Sequence, residues 1–147
     1  MEWCEVCKQE NRRRAKKRES RRTRDGESLR LLCNRIRDDA RTWGHTRKLV
    51  GVTNDEFRER MAAQFRPGMT WETYGETWTL DHVRPTSTFD LDDDEQRALC
   101  HSWMNLQPLP MAENLAKAER WSPADERAWV ARLASYGYSG RLFLRHT

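Results

Sequence analysis

The sequence has no run of 18 apolar residues, and its opening, from Met1 to Cys4, carries no hydrophobic leader, so nothing in it argues for membrane insertion or secretion. An intracellular protein, in the cytoplasm or nucleus of a host cell, is expected. Cysteine is scarce: Cys4, Cys7, Cys33 and Cys100 are the whole complement. Inside a cell these read as reduced thiols, metal ligands or small core residues before they read as disulfides. Hydrophobic residues make up only 37% of the chain against 34% charged, which limits it to a modest core with extended surface helices or an arm. Seven Trp residues soften that limit, because each can bury a large area. There is no internal repeat and no RNA-recognition aromatic motif, and no leucine heptad follows Asn11-Arg-Arg-Arg-Ala15, so a leucine zipper is excluded. A length of 147 residues leaves room for one compact domain with appendages.

What is present is positive charge in one place. Residues 8–24 hold Lys8, Arg12, Arg13, Arg14, Lys16, Lys17, Arg18, Arg21, Arg22 and Arg24 against only Glu10 and Glu19, a local charge of +8 that leaves the rest of the chain at −4. A cation block on an otherwise acidic chain suits an arm that displaces counterions from nucleic acid or sits on an anionic surface. A nuclear-localisation-like cluster or a solvated helix would look the same. Without apolar residues the arm has nothing to pack, so it is expected to order on its target.

Downstream, Asp25-Gly26 reads as a break, and a helix is expected from Ser28 with Leu29, Leu32, Cys33 and Ile36 at helical spacing. Thr53-Asn-Asp-Glu56 has the form of a capping box, and Phe57, Met61 and Phe65 follow at i, i+4 and i+8, predicting a helix of about three turns ended by Pro67-Gly68. Trp71 to Leu80 suits a turn and then a strand that runs into Asp81-His82. Asp92 and Glu95 suit the start of a short helix through Leu99 and Trp103. Asn105 to Leu109 reads as a second short strand ended by Pro110, with a helix from Met111 to Arg120 after it. Ser122-Pro123 opens a last helix with Trp129, Val130 and Leu133 as its buried stripe and Gly137 as its stop.

Strand, Asp-His, long loop, Asn-bearing short strand, helix with Asn is a ββα order. The motifs that fill it are Gly68-Met-Thr-Trp-Glu-Thr-Tyr-Gly75, Trp78-Thr-Leu-Asp-His82, Pro85-Thr-Ser-Thr-Phe-Asp-Leu91, Asn105-Leu-Gln-Pro-Leu109 and Glu113-Asn-Leu-Ala-Lys117. Together they resemble the HNH (His-Me finger, ββα-metal) endonucleases, in particular the branch found in phages and mobile elements. The similarity covers about 70 of the 147 residues and extends upstream through Leu49-Val-Gly51 and Phe57 to Phe65.

The resemblance implies an α+β fold, a ββα-metal core with additional N- and C-terminal helices. It divides the chain into an arm with Cys-x-x-Cys (1–27), a helical segment (28–66), a nuclease core (67–121) and a C-terminal helix and tail (122–147). It also implies metal-dependent hydrolysis of DNA phosphodiester bonds. Such a reaction needs a base to activate water, and neutral imidazole suits it near neutral pH, so His82 is the implied general base. It needs positive charge where negative charge builds up, supplied by one hard divalent cation, Mg2+ or Mn2+, for which Asp81 and Asn114 are the implied oxygen ligands. Asn105 is the implied loop-pinning residue that keeps the base oriented.

Arg84 and Lys117 are candidates for phosphate contact, alongside Arg12, Arg13, Arg14, Lys16, Lys17, Arg18, Arg21, Arg22 and Arg24 of the arm; each also reads as a solvated charge. Trp71, Tyr74 and Trp78 read as core residues before stacking platforms. Family members would carry a His nearer the Asn105 strand, where this chain has Ser102-Trp103-Met104, so no catalytic part is expected for His101. Cys4-Glu-Val-Cys7 has the spacing of a zinc knuckle but lacks a second pair, so structural Zn2+ would need Cys33, Cys100 or a His to join it. The alternative to a nuclease is a non-catalytic nucleic-acid-binding or packaging protein that keeps the fold as a scaffold.

Overall fold

A computed structural model describes residues 4–38 and 48–146. The chain runs as α1 (Glu5–Arg37), α2 (Asn54–Ala62), β1 (Trp78–His82), α3 (Asp94–His101), β2 (Leu106–Pro110), α4 (Met111–Lys117) and α5 (Pro123–Ser135), with single 3-10 turns at Thr86–Thr88 and Trp103–Asn105. This is an α+β arrangement around one two-stranded antiparallel sheet. Trp78 stands opposite Pro110, Asp81 opposite Gln107 and His82 opposite Leu106, and residues 83–105, which include α3, connect the strands.

The largest departure from the sequence reading is α1. The basic arm and the segment from Ser28 form one helix of 33 residues, so the break expected at Asp25-Gly26 does not occur and the boundary expected at 27/28 falls inside a helix. The reason is visible in the contacts. Cys4 caps the start, Glu10 pairs with Arg14 one turn on, and Lys, Arg, Glu and Ala are all good helix formers. Gly26 costs the helix about 1 kcal/mol relative to Ala, but Asp25 beside it is fully buried and tied to Arg97 of α3. Arg18, Arg22, Asp25, Leu29, Leu32 and Ile36 follow one another at steps of three or four, so one helical face meets the rest of the protein throughout. Its lower half is apolar and its upper half is charged: Arg18 pairs with Asp92 and Arg22 with Glu119. The arm therefore packs on the protein's own acids, a contact that apolar periodicity alone could not reveal.

The predicted stripe Leu29, Leu32, Cys33 and Ile36 is buried, as are Leu49 and Val50. These join Phe57, Met61, Trp71, Tyr74, Trp78 and Leu106 in the first core, where Phe65, Trp71, Tyr74 and Trp78 meet mostly edge to face. The capping box at Thr53 and Glu56 forms in both directions, but α2 stops at Ala62 and Phe65 packs from the turn beyond it. Phe89, Leu99, Cys100, Trp129 and Leu133 make a second core on the far side of the sheet connection. Asp93, not Asp92, caps α3, which ends at His101 before Trp103. Helix α4 ends at Lys117, where Ala118 takes a positive φ of 47°, short of the expected Arg120. Ser122 caps α5 reciprocally with Asp125, and Gly137, at φ 80°, follows its end as expected. No helix among the described residues is long and apolar enough to cross a membrane.

Candidate functional site

Strand β1 ends in Asp81-His82, and the two-residue period of a strand turns these neighbours to opposite faces. On one face, Asp81 Oδ2 accepts a hydrogen bond from Gln107 Nε2 at 2.9 Å, its partner across the sheet, and from Lys117 Nζ of α4 at 2.8 Å. The same ammonium donates to the His82 carbonyl oxygen at 2.5 Å. Lys117 is thus engaged inside the site, although it is not sealed from water. Asn114 lies one turn earlier on α4 and is half-buried.

On the other face, His82 Nε2 lies 3.0 Å from His101 Nδ1, with the rings edge to face. His101 closes α3 and is only 2% exposed. Its Nε2 has no aligned hydrogen bond, yet stands 3.2 Å from Asp25 Oδ2 of α1. Asp25 in turn accepts two hydrogen bonds from Arg97, at 2.9 and 2.7 Å. Withdrawal from water pushes the His82 imidazole down to about 3, helped by His101, Lys117 and Arg22 and opposed by Asp25. Burial also lowers His101, against the pull of Asp25. Both rings are therefore neutral near pH 7.

The loop between the strands is held by Asn105, which is fully buried. Its Oδ1 accepts from the Arg84 backbone N–H at 2.9 Å and from Trp129 Nε1 at 3.0 Å; its Nδ2 donates to the carbonyls of Arg84 at 3.1 Å and Cys100 at 2.8 Å. One side chain thus ties the residue two past His82 to the end of α3 and to α5.

One cluster of donors stands close enough together to hold a metal, and the oxygen donors expected from the sequence sit on β1 and α4. Asp81 and Asn114 offer hard oxygen ligands of the kind Mg2+ and Mn2+ take. His82, Cys100 and His101 bring one sulfur and two nitrogens within 4.8 Å of one another, a softer set of the kind Zn2+ takes. Burial raises the Cys100 thiol, so it is protonated without an ion.

Several expectations need correction. Arg84 is not available to a phosphate: it is fully buried, its guanidinium bonds Thr88 and the carbonyls of Leu142 and Phe143, and it lies over the Phe89 ring. Arg18 and Arg22 are paired with acids, while Arg13, Arg14, Lys16, Lys17, Arg21 and Arg24 line an outward groove on α1, and Arg12 is exposed nearby. Cys4 and Cys7 are exposed, with their sulfurs 3.1 Å apart. Cys33 and Cys100 are buried in the two separate cores, so neither joins them, and among the described residues no third metal ligand does. His101, to which sequence reasoning gives no part, touches the His82 ring. Asp25 and Gln107 escape sequence reasoning altogether. Asp25 carries a usable signal, as an acid among arginines in phase with Leu29 and Leu32; Gln107 shows only once the strand register is known.

No family model matches the chain, and no solved structure does. The chain is similar to two uncharacterised proteins of Acanthamoeba polyphaga mimivirus, 39% and 36% identical over 74 residues, which is 50% of this chain. Those 74 residues are 33% of each viral protein, so the chain spans about a third of the length of the relatives it matches.

Proposed function

We propose that this protein is a metal-dependent endonuclease of the HNH type that hydrolyses DNA phosphodiester bonds. The observation that carries the reading is the arrangement at the end of β1: Asp81 and His82 lie beside β2 and α4, and Asn105 grips both backbone groups of Arg84 in the loop that leaves His82. In this reading His82 is the general base. Its neutral ring takes a proton from the attacking water, and the buried Asn105 keeps the loop from shifting the ring. The residues present fit a hard cation in their chemistry, a carboxylate and an amide oxygen, and Lys117, whose ammonium stands 2.8 Å from Asp81 Oδ2, would yield that oxygen to the ion. Asp81 and Asn114 would hold one Mg2+ or Mn2+, which when bound supplies positive charge to the phosphate and the departing 3′ oxygen. The outward cations of α1 supply affinity for the DNA backbone.

The motif run from Gly68 to Lys117 supports this reading, and the viral relatives agree with an origin in a virus or mobile element. One observation favours a binding protein without chemistry: α1 presents an exposed basic groove that needs no active site to bind nucleic acid. Cleavage separates the two. The purified chain with Mg2+ or Mn2+ is expected to nick or cut plasmid, and His82→Ala to abolish cutting with an unchanged circular dichroism spectrum. If the metal-loaded wild type leaves duplex, single-stranded and branched DNA intact, the nuclease reading fails and the binding reading takes its place.

A further inference from the structure

Helix α1 does more than carry the basic groove, because Asp25 on its inner face stands two groups away from His82. Asp25 is fully buried and receives two hydrogen bonds from the Arg97 guanidinium, so it is an ionised carboxylate able only to accept. At 3.2 Å from its Oδ2 is His101 Nε2, sealed from water on the same side. A ring nitrogen in that place is stable with its proton on and repelled with its lone pair exposed. A neutral imidazole has a single N–H, so a proton on His101 Nε2 makes His101 Nδ1 an acceptor. The group 3.0 Å from that acceptor is His82 Nε2, which must then be the donor. By the same count the lone pair of His82 lies on Nδ1.

We propose that Asp25 and His101 are positioning residues for His82: acting in series, they hold its ring with the proton on Nε2 and leave Nδ1 to accept a proton. The inference rests on the reading of His82 as a general base, and it makes the N-terminal helix part of the active site as well as part of the DNA-binding surface. Reversing the chain would set a lone pair of His101 against a buried carboxylate and would put the His82 proton on Nδ1, where it blocks the base. Asp25 therefore decides the tautomer from a helix position more than fifty residues upstream of His82, and Arg97 keeps Asp25 charged.

The test uses the full chain, labelled with 15N, and reads the histidine rings by long-range proton–nitrogen correlation without DNA. The wild type is expected to show His82 protonated at Nε2 and bare at Nδ1. His101→Phe removes the acceptor and should give a mixed tautomer at His82; His101→Asn, whose side-chain carbonyl can accept, should restore the Nε2–H form. In cleavage assays with Mg2+, His101→Phe should lower kcat by about 100-fold with KM within about twofold, and His101→Asn should regain at least about tenfold. Should His101→Phe fail to fold, Asp25→Asn with Arg97→Gln removes the buried carboxylate and its cation together and is judged by the same two readouts. A wild-type His82 with its proton on Nδ1 overturns the inference, as does a folded variant with unchanged His82 ring shifts and unchanged kcat. A wild type that shows the expected tautomer but cuts no DNA overturns the nuclease reading alone, since the spectrum answers for the positioning.

Discussion

Replacing Asn105 with Ala removes one amide and leaves four buried groups without their partner: the Arg84 N–H and C=O, the Cys100 C=O and the Trp129 indole N–H. A buried polar group deprived of its hydrogen bond costs about 1–3 kcal/mol. The four share one site and relax together, so the sum falls short of additive, and a loss of about 3–5 kcal/mol is expected. For a chain of this size that lowers the melting temperature by roughly 6–20 °C. Urea unfolding followed by tryptophan fluorescence reports it directly, because Trp129 is itself a partner of Asn105. Cleavage should fall further than stability alone explains at temperatures where the variant is still folded, since the loop that leaves His82 is no longer held. A loss under about 1 kcal/mol together with wild-type cutting would refute the reasoning, because it would mean that the loop and the His82 ring are held by other contacts.

Three further outcomes follow from the site and the arm. Unfolded histidine titrates near 6.5 and folded His82 near 3, so the unfolded chain binds more protons between these values; this contribution to stability is complete above 6.5 and is lost as the pH falls toward 3. His82→Asn should therefore show a smaller drop in urea midpoint than wild type between about pH 7.5 and about pH 4.5, and equal drops would contradict the burial argument. Zn2+ at micromolar levels should inhibit Mg2+-dependent cleavage by taking His82, Cys100 and His101, and Cys100→Ser should raise the inhibitory concentration at least about tenfold; identical inhibition in both proteins would place the ion elsewhere. Neutralising Arg13, Lys16, Lys17 and Arg24 together should lower the slope of log affinity against log salt for duplex DNA by about three to four, since each phosphate that the protein no longer neutralises takes about 0.9 from the slope. Arg18→Ala with Arg22→Ala should lower it much less, because those cations are already paired with Asp92 and Glu119; a reduction as large as that of the outward set would show that DNA displaces the acids.

Much of the local structure was legible in the order of residues. The capping box at Thr53, the Ser122-Pro123 start of α5 and the glycine after its end are signals carried by a few neighbouring residues, and they appear where expected. The strand into Asp81-His82 was legible too, as was the burial of Trp71, Tyr74 and Trp78, while the strand expected from Asn105 to Leu109 lies one residue on, at Leu106–Pro110, with Asn105 in the 3-10 turn before it. Where sequence reasoning errs, it treats charge as solvent-facing. Arg84 is a core residue because its guanidinium makes four hydrogen bonds to backbone and hydroxyl acceptors while its plane lies over Phe89. Arg18, Arg22 and Asp25 are contact residues for the same kind of reason, each meeting an opposite charge from a distant segment.

The sequence alone determined the α+β plan and the neighbours Asp81-His82, together with the two asparagines that follow them in order, because spacing along a chain is enough to place residues on one strand or one helix face. Only the tertiary structure decided what surrounds His82. Asp25 and His101 are 76 residues apart, and no periodicity links them; they meet because α1 extends unbroken past Gly26 and lays a charged face against α3. A chain of close polar contacts depends on ångström distances between elements, and those distances are set by packing, which the linear order of residues does not contain.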